Sequence, residues 1–230
     1  MHQDVPGILY EDNHLIIVNK RPSDIVQGDK TGDISLDEIL KAYIKEKYNK
    51  PGAVFLGTVH RLDRPASGIV VFARTSKALS RMNELFRIGE IKKTYWAIVN
   101  EAPPAKSGHL EHYLTRNTKQ NKSYAHDKEV KGAKKAILDY RLIAKSNYYC
   151  LVEIDLKTGR HHQIRCQLAA IGCPIKGDLK YGARRSNKDG SISLHAREIS
   201  FLHPVKKTLI KLIARPPEDE LWNYFLRLSG

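Results

Sequence analysis

The order of strand and helix signals in this chain predicts an α+β fold. The expectation is a single domain over residues 1–230, built on an extended, mainly antiparallel (mixed) sheet flanked by helices and loops. Strand signals outnumber helix signals and do not alternate with them, so βαβ units and a parallel sheet are not expected. No repeat, low-complexity tract or long linker interrupts the 230 residues. An apolar fraction of 41% is enough to fill a sizeable core.

Residues 8–11 and 14–18 are apolar runs around Asp12-Asn13, a two-residue turn signal, and read as a hairpin. A loop rich in Gly, Asp and Lys follows over 19–32. Ser35-Leu36-Asp37-Glu38 forms a capping box, and Leu36, Ile39, Leu40, Tyr43 and Ile44 keep helical period to about Tyr48. Ile69-Val70-Val71-Phe72-Ala73 is apolar and β-branched enough for a buried strand. Ser76 is placed to cap a second helix with Leu79, Met82, Leu85 and Phe86 on one face, ended by Gly89. Strands are expected at 92–99, 135–143 and 148–156, with a basic strand-and-loop excursion after Pro103-Pro104. Residues 160–171 read as a helix stopped by Gly172. Strands at 193–201 and 208–214 precede a final helix around Leu221, Trp222 and Phe225. Pro216-Pro217 and the acids Glu218, Asp219 and Glu220 start it.

The formal charge of +14 is far from indifferent to polyanions, and residues 116–145 hold nine Lys or Arg against three acids. Such an excess raises the local concentration of nucleic acid and speeds its capture. Cys150, Cys166 and Cys173 show no C-x-x-C spacing. An odd cysteine count and a start without a basic or apolar leader region point to reduced thiols and a cytoplasmic protein. No apolar run is long enough to span a bilayer, so no membrane partner is expected. His161, His162 and Cys166 fit no common zinc spacing, so no metal is expected.

The most informative string is His60-Arg61-Leu62-Asp63-Arg64-Pro65-Ala66-Ser67-Gly68. It sets one carboxylate between two guanidinium groups at the mouth of a buried strand. Asp63 is the only acidic residue between Glu46 and Glu84. An isolated carboxylate in that setting suits a nucleophile or base working beside a polyanion.

The string resembles the H-R-L-D-x-x-T-S-G signature of the RluA-type pseudouridine synthases, with Ala66 in place of Thr. Lys92-Lys93-Thr94-Tyr95-Trp96-Ala97-Ile98-Val99 resembles the family's K-x-Y-x-A-x-V segment. Thr158-Gly159-Arg160-His161-His162-Gln163-Ile164-Arg165 resembles T-G-R-x-H-Q-I-R, and Gly177-Asp178-Leu179-Lys180-Tyr181-Gly182 resembles G-D-x-x-Y-G. Four matches in the family's order span about residues 8 to 204. The early N-K-P-x-G segment departs, as Asn19-Lys20-Arg21-Pro22-Ser23-Asp24. Gln167 replaces a frequent His, and His161 a common Thr; these departures bear on substrate identity. The hairpin begins within the first ten residues, which leaves no room for the N-terminal S4-type domain of some relatives.

The resemblance implies a pseudouridine synthase fold and a cofactor-free isomerase that turns uridine in ribosomal or transfer RNA into pseudouridine. The N1–C1′ bond breaks, the uracil turns over, and its C5 joins C1′. The resemblance makes Asp63 the catalytic carboxylate, by attack on C1′ or by removal of the C2′ proton. It makes Arg165 the partner of Asp63, with Arg160 a second candidate. By the same resemblance Tyr95 is expected to stack on the flipped uracil, which offsets part of the cost of unstacking, with its hydroxyl helping to deprotonate C5. The resemblance implies that Arg61 inserts where the base was, and His60, Arg64 and Arg160 are further candidates for RNA contact. A monomer is the expectation. A catalytically silent RNA-binding module is the alternative, which loss of the carboxylate or the tyrosine would favour; both are present. A nucleoside glycosylase is a third reading, and free uracil among the products would reveal it.

Overall fold

The computed structural model describes residues 5–28 and 32–229. Residues 1–4, part of the start read as lacking a leader, and residues 29–31 of the Gly-, Asp- and Lys-rich loop lie outside the described residues. In chain order the elements begin with β1 (Ile8–Glu11), β2 (Leu15–Lys20), α1 (Leu36–Lys47), β3 (Gly57–Thr58), β4 (Ser67–Ala73) and α2 (Ser76–Arg87). Next come β5 (Lys92–Val99), β6 (Ser107–Asn117), β7 (Lys122–His126), β8 (Lys134–Lys145), β9 (Cys150–Leu156) and α3 (Gln163–Ala170). A 3-10 turn (Leu179–Tyr181), β10 (Leu194–Leu202), β11 (Leu209–Ile213) and α4 (Glu220–Ser229) complete the chain. This is the expected α+β class with a mainly antiparallel sheet. The chain divides into two compact units, Met1–Ile91 with Arg197–Arg215, and Lys92–Ala196 with Pro216–Gly230.

In the first unit, Asp12 makes the β1–β2 turn: its Oδ1 accepts from the His14 and Leu15 amides at 2.8 Å each. β2 then pairs antiparallel with β4 over six residues, Leu15 opposite Ala73 through Lys20 opposite Gly68. Both faces of this pair are covered, which is why β4 reads as a continuous apolar run. Leu15, Ile17, Ile69 and Val71 meet Ala78 and Met82 of α2 together with Ile199, Phe201 and Ile210. Ile16, Val18, Val70 and Phe72 meet Leu36, Leu40 and Ile44 of α1. The capping box at Ser35 and Glu38 forms as expected, with Ser35 N donating to Glu38 Oε2 at 2.9 Å. At α2 the cap is Thr75 rather than Ser76. Thr75 has extended backbone angles and its Oγ1 accepts from Ala78 N at 3.1 Å, so Ser76 becomes the first helical residue. Gly89 follows the helix at φ +78, the left-handed exit expected of it.

In the second unit five strands run antiparallel in the order β5-β9-β8-β6-β7. The excursion after Pro103-Pro104 is thus the outer hairpin of this array. Trp96, Ile98 and Leu151 on one side of the sheet bury against Trp222 and Phe225 of α4. Asp219 starts α4 by accepting from the Leu221 and Trp222 amides at 2.9 and 3.1 Å.

The helix expected at 160–171 begins only at Gln163, so Arg160 and His161 lie outside it. His162 stands at φ 52, ψ 27, a left-handed conformation that ends helical continuity toward the N-terminus. Gln163 replaces the missing turn by side-chain bonds. Its Oε1 accepts from Thr158 Oγ1 at 2.8 Å and from Arg160 N at 2.9 Å, and its Nε2 donates to Ile137 O at 3.1 Å.

Candidate active site

The first unit carries His60, Arg61, Asp63 and Arg64 on the loop between β3 and β4. Asp63 O accepts from Ala66 N at 3.0 Å, a tight turn that feeds straight into β4. His60 Nε2 accepts from Val71 N at 3.2 Å and its ring lies 5.0 Å from that of Phe86, so this histidine ties the loop to the strand and α2. Arg61 and Arg64 are exposed, and Arg64 Nη2 reaches Asp33 Oδ2 at 2.7 Å.

Lys20, to which sequence reasoning gave no role, sits behind this loop with 1% of its surface exposed. It is the last residue of β2, and strand alternation directs its side chain inward. Its ammonium donates to three carbonyls: Arg21 and Asp24, both at 2.8 Å, and Arg64 at 3.1 Å. Burial pushes its pKa down to about 8, while Asp24 and Asp63 act to raise it. The signal was present in the sequence, as a lysine ending an apolar strand, but nothing local distinguishes it from an ordinary edge cation.

The second unit carries Tyr95, Arg160 and Arg165. Tyr95 lies on β5 opposite Ile154 of β9 and is largely buried. Trp96 takes the opposite face and donates from Nε1 to Glu153 Oε2 at 3.1 Å. Lys93 shares the strand face of Tyr95; burial lowers its pKa, against the opposing charge of Asp155. Arg160 is exposed and donates from Nε to Lys135 O at 2.9 Å.

Arg165 is buried, and its guanidinium grips Asp178 through two parallel bonds, Nε to Oδ2 at 2.6 Å and Nη2 to Oδ1 at 2.8 Å. This fork fixes the plane of the guanidinium as well as its charge. Tyr181 packs over it, with Arg165 Cζ 5.1 Å from the ring centroid and Lys122 Nζ 5.4 Å from the same ring. The Tyr181 hydroxyl accepts from Ser123 N at 2.8 Å and meets His162 Nδ1 at 3.0 Å, and burial pushes its pKa up to about 12. Asp178 and Tyr181 belong to the G-D-x-x-Y-G string, whose residues carried no assigned role in the sequence. Both departures in this segment find partners. The ring of His161 stacks on His162 at 3.7 Å and meets Ser123 Oγ at 2.9 Å and Asn121 Oδ1 at 3.1 Å. Gln167, fully buried, donates to Leu110 O and Ala136 O, both at 3.2 Å, and so joins α3 to β6 and β8.

Among the described residues no cluster of three or more His, Cys, Asp or Glu is placed to hold a metal ion. Among them, too, no helix is long and apolar enough to cross a membrane.

The RNA pseudouridylate synthase family model matches residues 14–170. Ribosomal large subunit pseudouridine synthase D of Zymomonas mobilis is 32% identical, over 94% of this chain and 71% of that protein. tRNA pseudouridine synthase C of Vibrio cholerae is 30% identical, over 97% of this chain and 95% of that protein. Among solved structures, human RNA pseudouridylate synthase domain containing 4 superposes with a TM-score of 0.78. It covers 97% of this chain and 92% of its own at 24% identity, a likeness of fold.

Proposed function

This chain belongs to the RNA pseudouridylate synthase family and is an RNA pseudouridine synthase, an isomerase; within that premise we propose which of its residues act and on which RNA. Asp63 supplies the carboxylate that opens the glycosidic bond, by attack on C1′ or by removal of the C2′ proton. Arg165 orients that carboxylate and Tyr95 shelves the extruded uracil. Arg61, His60, Arg64 and Arg160 contact the RNA. The substrate is a uridine in structured ribosomal or transfer RNA, the two classes named for the relatives that cover nearly all of this chain. The enzyme works as a single catalytic domain over residues 1–230, as a monomer in the cytoplasm, without cofactor or metal.

The observation that carries the assignment is the setting of Asp63. It is the lone acid in a long basic and apolar stretch, on a turn pinned to β4, with a buried ammonium behind it. The chemistry needs an oxygen donor held still, because a misplacement of about 1 Å costs on the order of a hundredfold in rate. The excess of positive charge serves the capture of a polyanion.

Two measurements test this. RNA carrying tritium at uridine C5 should release the label with the wild-type enzyme and not with Asp63→Asn, while RNA binding persists. Chemical mapping of pseudouridine in total RNA from a strain lacking the protein should show a missing site and so name the substrate. Label release by Asp63→Asn at the wild-type rate would remove the assignment.

A further inference from the structure

Next to the Asp63 turn, within the first unit, lies a cleft of about 320 Å³ that the chemistry above does not use. That volume is at the small end of the clefts that hold a small ligand. Ile25, Leu36 and Ile39 line it with apolar surface, and Ile34 adds a side chain that remains 58% exposed. Arg21, Asp24, Asp33 and Arg64 bring donors and acceptors to the same space. They form two pairs, Arg21 with Asp24 at 3.2 Å and Arg64 with Asp33 at 2.7 Å. Both arginine side chains are about half exposed, and exposed ion pairs are weak enough to exchange partners. The wall of the cleft is tied to its surroundings. Ser23 N donates to Arg64 O at 2.9 Å and Leu36 N to Ile25 O at 2.8 Å, which bonds the loop after β2 to the Asp63 turn and to the start of α1. Ser23 stands at φ 72, in the place where the N-K-P-x-G string has its glycine. A residue with a side chain is strained there, and this one lines the cleft. Ile34 and Ile39 also occupy the two positions of a hydrophobic staple, before the Ser35 cap and four residues into α1. A staple alone accounts neither for the strained serine nor for the charged pairs around the same space.

We propose that this cleft takes an unpaired nucleobase of the substrate RNA, from the nucleotide next to the target uridine. The base lies with its face on Ile34 and Ile39 and its edge toward Ser23 and the Arg–Asp pairs. This rests on the assignment of Asp63 above and adds a subsite for a second nucleotide. Arg64 follows Asp63 in the chain, so the cleft adjoins the place where the target ribose is held. Extruding the target removes a stacking partner from each of its neighbours, and an apolar floor replaces it. Carboxylates accept from base N–H groups and guanidinium groups donate to base oxygens and ring nitrogens, so the paired rim matches a base edge. A site for phosphate alone has no use for the carboxylates, which repel it. The loop that departs from the family string, Arg21-Pro22-Ser23-Asp24, thereby enters substrate choice through a direct contact.

The experiment measures kcat/KM for tritium release from stem-loop RNAs that carry the mapped uridine labelled at C5. The RNAs are intact or hold an abasic residue on one side of the target or the other. The wild-type enzyme should lose about 10-fold with the abasic residue on at least one side, the scale of one lost stacking contact. Ile34→Glu places a charge on the exposed part of the floor and should lose a similar factor on intact RNA. On the sensitive abasic RNA it should lose nothing further, because the two changes remove one and the same contact. Losses that multiply, as a weakened staple would give, overturn the proposal. So do equal wild-type values on intact RNA and both abasic RNAs, or an unchanged value for Ile34→Glu on intact RNA. If Ile34→Glu does not fold, the same cycle is run with Ser23→Gly, which relaxes the backbone and removes the hydroxyl. A few-fold loss confined to intact RNA then supports the subsite, and an unchanged value overturns it. Asp63→Asn, run beside them, separates the two claims. Label release by that variant removes the reading of Asp63, whereas an inactive Asp63→Asn beside a wild-type enzyme indifferent to both abasic residues removes only the subsite.

Discussion

Truncating Asp178 to alanine removes one half of a buried fork and leaves the Arg165 guanidinium, 6% exposed at the side chain, without its bidentate carboxylate. The two bonds at 2.6 and 2.8 Å are lost together. Breaking a buried pair from one side costs about 3–5 kcal/mol, because the remaining charge stays desolvated. The backbone bonds of Asp178, to Ile175 O at 3.0 Å and from Tyr181 N at 3.1 Å, do not depend on the side chain and survive the exchange. Asp178→Asn keeps the shape and one good acceptor, so its cost should be smaller, about 1.5–3 kcal/mol for a charge-assisted bond. For a chain of this size each kcal/mol moves Tm by about 2–4 °C, so the alanine variant should melt roughly 10 °C below wild type. The assay is urea unfolding followed by tryptophan fluorescence. Both tryptophans, Trp96 and Trp222, lie in the second unit with Asp178, so the signal reports on the unit that is perturbed. An alanine variant within about 0.5 kcal/mol of wild type, or one no weaker than the asparagine variant, would refute the reasoning that the fork is a net structural tie.

Two smaller predictions concern the first unit. Thr75→Ala should cost about 1 kcal/mol in denaturant unfolding through loss of the Ala78 N–H partner, whereas Ser76→Ala should be nearly neutral; the reverse order would put the cap back on Ser76. Burial alone would raise the pKa of Asp12. The Lys206 ammonium, the His14 and Leu15 amides and the Tyr10 hydroxyl outweigh it and hold the carboxyl well below the usual range. A depressed carboxyl contributes stability that is complete above its unfolded value of about 4 and is lost as pH falls toward its folded value. Asp12→Asn should therefore be less stable than wild type at pH 7 and should lose less stability between about pH 4 and pH 2. Parallel acid curves for the two proteins would count against the role of Asp12.

The positions of the elements were legible because their signals are local. Continuous apolar runs placed β2 and β4, an alternating strand pattern β5, and period-3.6 patterns α1 and α2, each within a residue or two, and the Ser35–Glu38 box marked a helix start correctly. The burial of β4 was readable from its unbroken apolar run, and the structure adds that both faces are covered, which lets the strand omit polar alternation. The start of α3 was not readable. His162 adopts a left-handed conformation, and Gln163 caps the turn through Thr158 and Ile137, the latter 26 residues away in sequence. The candidate residues of the signature strings were named through the resemblance of those strings to the family, whose model matches residues 14–170.

By itself the amino-acid order determined the class of fold, the net positive charge, and the strings that mark the family. What only the folded chain decided is which buried polar groups answer one another. Lys20 finds a carbonyl 44 residues away, Arg165 finds a carboxylate 13 residues away, and the Tyr181 hydroxyl finds an amide 58 residues away. Apolar burial is non-directional and leaves a periodic trace in sequence. A buried donor must meet a particular acceptor at a particular angle, and that meeting depends on how distant strands and loops cross.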